Sequence, residues 1–122
     1  FFKLDKAMMD QIIYNLVNNA IQYTRADSKI EIMAHCHADV LELIIEDDGK
    51  GFPEEEIDKV FNKFYRLKNT KTGGTGLGLS IVKGLTEALG GTVHLQNLKT
   101  GGARFIIHIA AQTSNLKSIK NE

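Results

Sequence analysis

From Asp5 onward, Ile12, Ile13, Leu16, Val17, Ala20 and Ile21 recur at helical intervals, which predicts a helix from Lys6 to about Thr24 with these residues toward the core. Asp5 precedes it as an N-cap. A second stripe, Gln11, Asn15, Asn19 and Gln22, occupies another side of the same helix. It is short-chained and uncharged, unlike solvated faces rich in Lys and Glu. The period then drops to two. Ile30, Ile32, Ala34 and Cys36 alternate with Glu31, Met33 and His35, and Leu41, Leu43 and Ile45 alternate with Glu42, Ile44 and Glu46. The short link His37-Ala38-Asp39 makes these an antiparallel hairpin with one face on the core, and puts Cys36 on that apolar face as inert core.

Pro53 stands at the first turn of a short helix that opens with Glu54-Glu55-Glu56, acids suited to a helix N-terminus. Residues 67–75 are polar, carry no period and read as a mobile loop. A helix from about Leu77 to Leu89 follows, with Ile81, Val82, Leu85 and Leu89 on one side and Gly90-Gly91 at its end. Strands near Thr92–Asn97 and Ala103–Ala111 flank a Gly101-Gly102 turn. Phe1–Leu4 reads as the end of a strand whose earlier part lies upstream, and residues 112–122 as a polar tail or linker. The predicted fold is α/β: a two-layer sandwich over residues 1–111, its mixed, mainly antiparallel sheet covered on one face by helices.

A length of 122 residues fits one domain with an ordinary core. With 15 basic and 15 acidic residues the net charge is zero, which leaves no electrostatic footprint for nucleic acid or anionic lipid. One cysteine excludes an internal disulfide and agrees with a reducing compartment. No apolar run approaches the roughly 18 residues of a membrane span. The expectation is a cytoplasmic domain, monomeric in isolation and without direct membrane contact.

The candidate chemistry lies in two asparagines and two glycine clusters. Asn15 and Asn19 project from one helix face and offer side-chain amides to one object. Asp47-Asp48-Gly49-Lys50-Gly51 and Gly73-Gly74-Thr75-Gly76-Leu77-Gly78 supply loops with accessible backbone N–H groups. A magnesium-bound nucleotide is the simplest such object. Leu79-Ser80 after Gly78 fails the Lys-Ser/Thr requirement of a Walker loop, and the glycine spacing fails the dinucleotide pattern. What remains is a Gly-rich loop that opens into a helix N-terminus, suited to phosphates; taken alone it also reads as a plain connector. Asp47 shares the core-facing side of its strand with Leu43 and Ile45, where a carboxylate needs hydrogen-bond donors such as an adenine amino group. Gly49 and Gly51 allow close backbone approach, and the same residues also suit an ordinary tight turn.

In order, Asn-x3-Asn-Ala-x2-Tyr, Asp-x-Gly-x-Gly, Phe-x2-Phe-Tyr-Arg and Gly-Thr-Gly-Leu-Gly-Leu resemble the N, G1, F and G2 boxes of the catalytic ATP-binding domain of sensor histidine kinases. The likeness runs from about Asp5 to Ile109 and implies the Bergerat fold of the GHKL superfamily. It implies ATP and Mg²⁺ as ligands. Asn19 would bind the metal, with Asn15 supporting metal or phosphates. Tyr23 would stack near adenine, Asp47 would accept from its amino group, and Gly49 and Gly51 would shape the pocket. Arg66 would act at the phosphates, while Gly74, Thr75, Gly76, Leu77 and Gly78 would form the cradle that closes a lid over roughly Asn62 to Thr75, with Phe61 and Phe64 as lid anchors or plain core aromatics.

Hydrolysing members of the fold and its serine kinases carry a Glu four residues before the metal-binding asparagine. Asn15 stands there, and an amide cannot serve as a base. A neutral histidine acceptor needs none, so Asn15 favours transfer to histidine. The chain departs from the family in Gln22, where Lys is common, with Lys68 or Lys71 as compensation; in Asp48, which adds negative charge near the pocket; and in Ala110, where proline is common. His35, His37, His94 and His108 lie in strands or a turn and lack an acceptor's helical context. The implied partners are a dimerisation and histidine-phosphotransfer domain of the same protein and a response regulator. The competing readings are a nucleotide sensor without transfer and a GHKL ATPase or serine kinase.

Overall fold

Asp5 caps the first helix as its position predicts, its Oδ1 accepting the Met8 N–H at 3.0 Å. The computed structural model describes residues 5–22, 24–65 and 78–110. Helix α1 spans Lys6–Gln22 and buries Ile12, Leu16 and Ala20, with Met9 and Ile13 packed beside them. Ile21 departs from its expected core position and is 59 % exposed. Successive helical residues turn by about 100°, so one step beyond Ala20 already leaves the buried stripe.

The hairpin forms as the alternation requires. Strands β1 (Ile30–His37) and β2 (Val40–Asp47) pair antiparallel, Ile32 opposite Ile45 and Ala34 opposite Leu43. Strands β3 (Thr92–Asn97) and β4 (Ala103–Ala110) complete a sheet of order β1-β2-β4-β3, every described pairing antiparallel. Helix α1 packs on β2 and on the second helix, α2 (Gly78–Ala88), which packs on β3. This is the expected two-layer sandwich. β1 lies at the edge of that cover, so Cys36 is exposed instead of core and Ile32 is 51 % exposed. On the other sheet face, ion pairs flank the apolar row Met33, Ile44 and Ile106, with Arg104 Nε on Glu46 and His108 Nε2 2.8 Å from Glu42 Oε2.

The core centres on Phe105 of β4, with the rings of Phe52 and Phe61 meeting it edge-on at 6.0 and 6.1 Å. Helix α2 buries Leu79, Val82 and Thr86, with Leu85 and Leu89 packed alongside; Ile81 is turned out, 39 % exposed. Its end is a Schellman closure, Gly91 N–H to Thr86 O at 2.8 Å and Gly90 N–H to Glu87 O at 2.9 Å. Between the layers' edges, Glu54–Lys59 forms a 3₁₀ helix behind Pro53. Phe61 is core, whereas Phe64 is 63 % exposed at φ 66°, so it anchors nothing on the core. The expected strand end at Phe1–Leu4, the loop at residues 67–75 and the tail from Gln112 lie outside the described residues.

Candidate functional site

Two regions carry the predicted residues. The first is the loop that leaves β2. Asp47 is half-buried, and its Oδ1 accepts the Gly49 N–H at 2.9 Å. Burial holds the carboxyl above the ordinary value of 3.8; hydrogen bonds from the Gly49 and Ala103 N–H groups oppose the rise, and the Asp48 charge adds to it. Asp48 does not stand idle in the pocket. Its Oδ1 takes the Lys29 N–H at 2.9 Å and so ties the open end of the β1–β2 hairpin. Gly51 adopts φ 77°, and a Cβ there would lie 2.6 Å from Asn97 Oδ1. Asn97 in turn binds both backbone groups of Phe52, accepting its N–H at 2.8 Å and donating to its carbonyl at 2.7 Å. Gly102, at φ 98°, presses on the same loop, since a Cβ would meet Asp47 O at 1.9 Å.

The second region is the polar face of α1 against the start of α2. Asn15 and Asn19 are both half-buried, while Gln11 and Gln22 are exposed, so only the pair of amides is drawn inward. Asn15 Nδ2 is buried and has no hydrogen-bond partner among the described residues. Gly78 opens α2 beside it, and a Cβ at Gly78 would lie 3.8 Å from Asn15 Oδ1. A helix start carries unsatisfied N–H groups and partial positive charge.

Glu56 adds a buried carboxylate that sequence reasoning passed over. It is 4 % exposed and accepts the Tyr65 hydroxyl, which with burial and the charges of Glu56 and Glu55 pushes the phenol up to about 12. Asn97 and Gly102 were also missed as site residues. Gly101-Gly102 gave a turn signal, but Asn97 gave none. Tyr23, Arg66, Gly74, Thr75, Gly76 and Leu77 fall outside the described residues, as do Lys68 and Lys71. Among the described residues no three His, Cys, Asp or Glu side chains could hold a metal together, which includes His35 and His37.

Residues 4–113 match the family described as histidine kinase-, DNA gyrase B-, and HSP90-like ATPase. The chain belongs to this family. It is 36 % identical over 116 residues to the sensor protein CiaH of Streptococcus pneumoniae, covering 93 % of this chain and 26 % of CiaH. It is 40 % identical over 105 residues to the sensor protein RstB of Escherichia coli, covering 84 % of this chain and 24 % of RstB. The chain thus spans about a quarter of the length of these relatives. Among solved structures, the nucleotide-free catalytic domain of histidine kinase ThkA superposes with a TM-score of 0.77 at 36 % identity, over 87 % of this chain and 68 % of that one. The mycobacterial sensor histidine kinase MprB shares the fold with a TM-score of 0.81 at 24 % identity, over 89 % and 76 % of the two chains.

The residues present suit the family's ligands. A buried amide N–H without an acceptor calls for one, and phosphate oxygens are acceptors only. An amide oxygen such as that of Asn19 is a hard donor appropriate to Mg²⁺. Asn15 Nδ2 cannot ligate a cation, so its orphaned donor favours a phosphate contact for that residue.

Proposed function

We propose that this domain binds ATP with Mg²⁺ and passes the γ-phosphoryl group to a histidine on a dimerisation domain of the same protein, from which a response-regulator aspartate takes it. The observation that carries this reading is the buried, unpartnered Asn15 Nδ2 at the start of α2. A chain that keeps such a group forgoes about 1–3 kcal/mol of stability unless a ligand satisfies it. Asp47 accepts the adenine amino hydrogen, and its half-buried setting strengthens that bond relative to water. Gly49 and Gly51 let the loop backbone approach the ring. Asn15 donates to a phosphate oxygen, and the first N–H groups of α2 orient the phosphates. Mg²⁺, held by Asn19 with Asn15 in support, supplies charge neutralisation along the phosphate chain.

Tyr23 stacking on adenine, Arg66 at the transferred group, and Gly74, Thr75, Gly76, Leu77 and Gly78 as the phosphate cradle complete the proposed site. Arg66 directly follows Tyr65, whose hydroxyl is tied to buried Glu56. No residue of the α1 face can act as a base, which suits a histidine acceptor and not water. The four histidines of the chain are not that acceptor; all occupy β1, β3 or β4. On this reading the domain itself works in the cytoplasm.

Calorimetric titration of Mg²⁺-ATP into the chain and into Asp47→Ala tests the pocket, with binding expected only in the first. Radiolabelled ATP with a histidine-bearing dimerisation domain tests transfer. Phosphate release by the chain alone at a rate above buffer would overturn the histidine acceptor in favour of an ATPase.

A further inference from the structure

We infer that Asn97 is a positioning residue for the adenine half of the site, acting through the Phe52 peptide; this rests on the nucleotide reading above. Asn97 is the last residue of β3 and lies opposite Ala103 in the β3–β4 ladder. Its side chain reaches across to a segment 45 residues away in sequence. There it does what a neighbouring strand would do. Its Oδ1 accepts the Phe52 N–H at 2.8 Å, its Nδ2 donates to the Phe52 carbonyl at 2.7 Å, and the same Nδ2 reaches Glu54 Oε1 at 3.0 Å.

These two hydrogen bonds, to the peptide groups on either side of Phe52, fix both position and orientation of the loop from Asp47 to Phe52. Three further constraints converge on the same loop. Gly51 can pass Asn97 only because it lacks a Cβ, which would stand 2.6 Å from Asn97 Oδ1. Gly102 packs against Asp47 O so closely that a Cβ would meet it at 1.9 Å. The Ala103 N–H, on the strand that pairs with Asn97, donates to the Asp47 carboxylate. Asn97 therefore holds one end of the loop while Ala103 and Gly102 hold the other. Phe52, gripped by its backbone, places its ring edge-on against Phe105 in the core. With Asn97 removed, both Phe52 backbone groups lose these partners, and the carboxylate of Asp47 loses its fixed distance to the loop that shapes the pocket.

Such a residue sets affinity for the base and its nucleoside, not for the phosphates. Asn97→Ala is expected to raise the dissociation constants of adenosine, ADP and Mg²⁺-ATP by one common factor of about ten. Asn97→Asp supplies a second, nearly isosteric variant. Its carboxylate keeps the acceptor for the Phe52 N–H but sets an anion against the Phe52 carbonyl and Glu54. When protonated it donates again. The ratio of its adenosine dissociation constant to the parent's is expected to be about tenfold at pH 7.5 and to fall steadily as pH drops toward the ordinary carboxyl value of about 4. A merely structural role would give no such recovery. Titrations of parent, Asp47→Ala, Asn97→Ala and Asn97→Asp, each checked for folding by circular dichroism, decide the matter. Unchanged adenosine affinity in either folded Asn97 variant at pH 7.5, or a loss confined to the phosphorylated ligands, would overturn the inference while leaving the site intact. No binding by the parent, or equal binding by parent and Asp47→Ala, would overturn the adenine pocket and this inference with it.

Discussion

The loop that follows β2 and the polar face of α1 would share one nucleotide, yet their polar groups are in opposite states. In the loop, Asp47 already accepts two backbone N–H groups and Asn97 satisfies both backbone groups of Phe52. On the helix face, Asn15 Nδ2 is buried with nothing to donate to among the described residues. One half is built by the protein for the protein; the other is left for a ligand to finish. Preorganisation suits the base, whose shape is fixed, because it avoids ordering a loop on binding. An unfinished donor suits a phosphate chain that must leave altered.

The severest way to break the finished half is Gly102→Ala. Its φ of 98° and the 1.9 Å approach of a Cβ to Asp47 O leave no room for relaxation by side-chain motion. The expected loss is about 3 kcal/mol or more, a large share of a small domain's stability, read as the urea midpoint. A variant as stable as the parent would show that the loop is not held from this side.

Next comes Asp47→Ala, expected to weaken ATP and adenosine alike by about a hundredfold, the magnitude of a hydrogen bond to a charged group. Asp47→Asn separates charge from geometry. The folded carboxyl titrates above its unfolded value, so the folded state holds its proton longer. Stability from this group is full below the unfolded value and falls as pH rises through the folded one. Asp47→Asn should therefore remove that slope and leave the chain more stable at neutral pH, as measured by denaturant unfolding from pH 3 to 7. Adenosine affinity of the parent runs the other way and weakens as pH falls through the raised value.

The unfinished half gives an effect of smaller size and a different sign. Asn15→Leu replaces an unpartnered buried amide by an apolar group of the same branched shape. Stability should rise by about 1 kcal/mol, a few degrees in Tm, while Mg²⁺-ATP affinity falls about tenfold and adenosine affinity holds. A loss of stability instead would mean that Asn15 is already satisfied by the protein.

Legibility in the sequence divided along the same line. Asp47, Asn15 and Asn19 stood out because a polar residue in a helical or alternating pattern breaks it locally, and the patterns gave α1, β1, β2 and β4 nearly to their ends. Asn97 and Glu56 stayed hidden because their partners are chosen by tertiary approach; Asn97 meets Phe52 across 45 residues. Periodicity also tells which way a side chain points without telling how far the cover extends. Cys36 points with the apolar face of β1 and is exposed because that strand is the sheet's edge, while Phe64, helical in spacing with Phe61, is turned out by a left-handed backbone.

The smallest effect lies at the far end of β2 from Asp47, and it tests whether the two halves are local. Ala38 and Asp39 link β1 to β2 with φ values of 51° and 64°, the two left-handed positions of a type I′ turn. Aspartate tolerates that region; alanine does not, because its Cβ crowds the following carbonyl. Ala38→Asn supplies the residue this turn prefers and should stabilise the chain by a few tenths to about 1 kcal/mol. Its carriage along β2 decides the functional consequence. If the Asp47 loop is held by Asn97, Gly102 and Ala103 as described, ATP and adenosine affinities should match the parent's within error while the unfolding midpoint rises. A shift in affinity would mean that strain at the turn reaches Asp47 through the strand, and that the finished half is tuned by the whole hairpin.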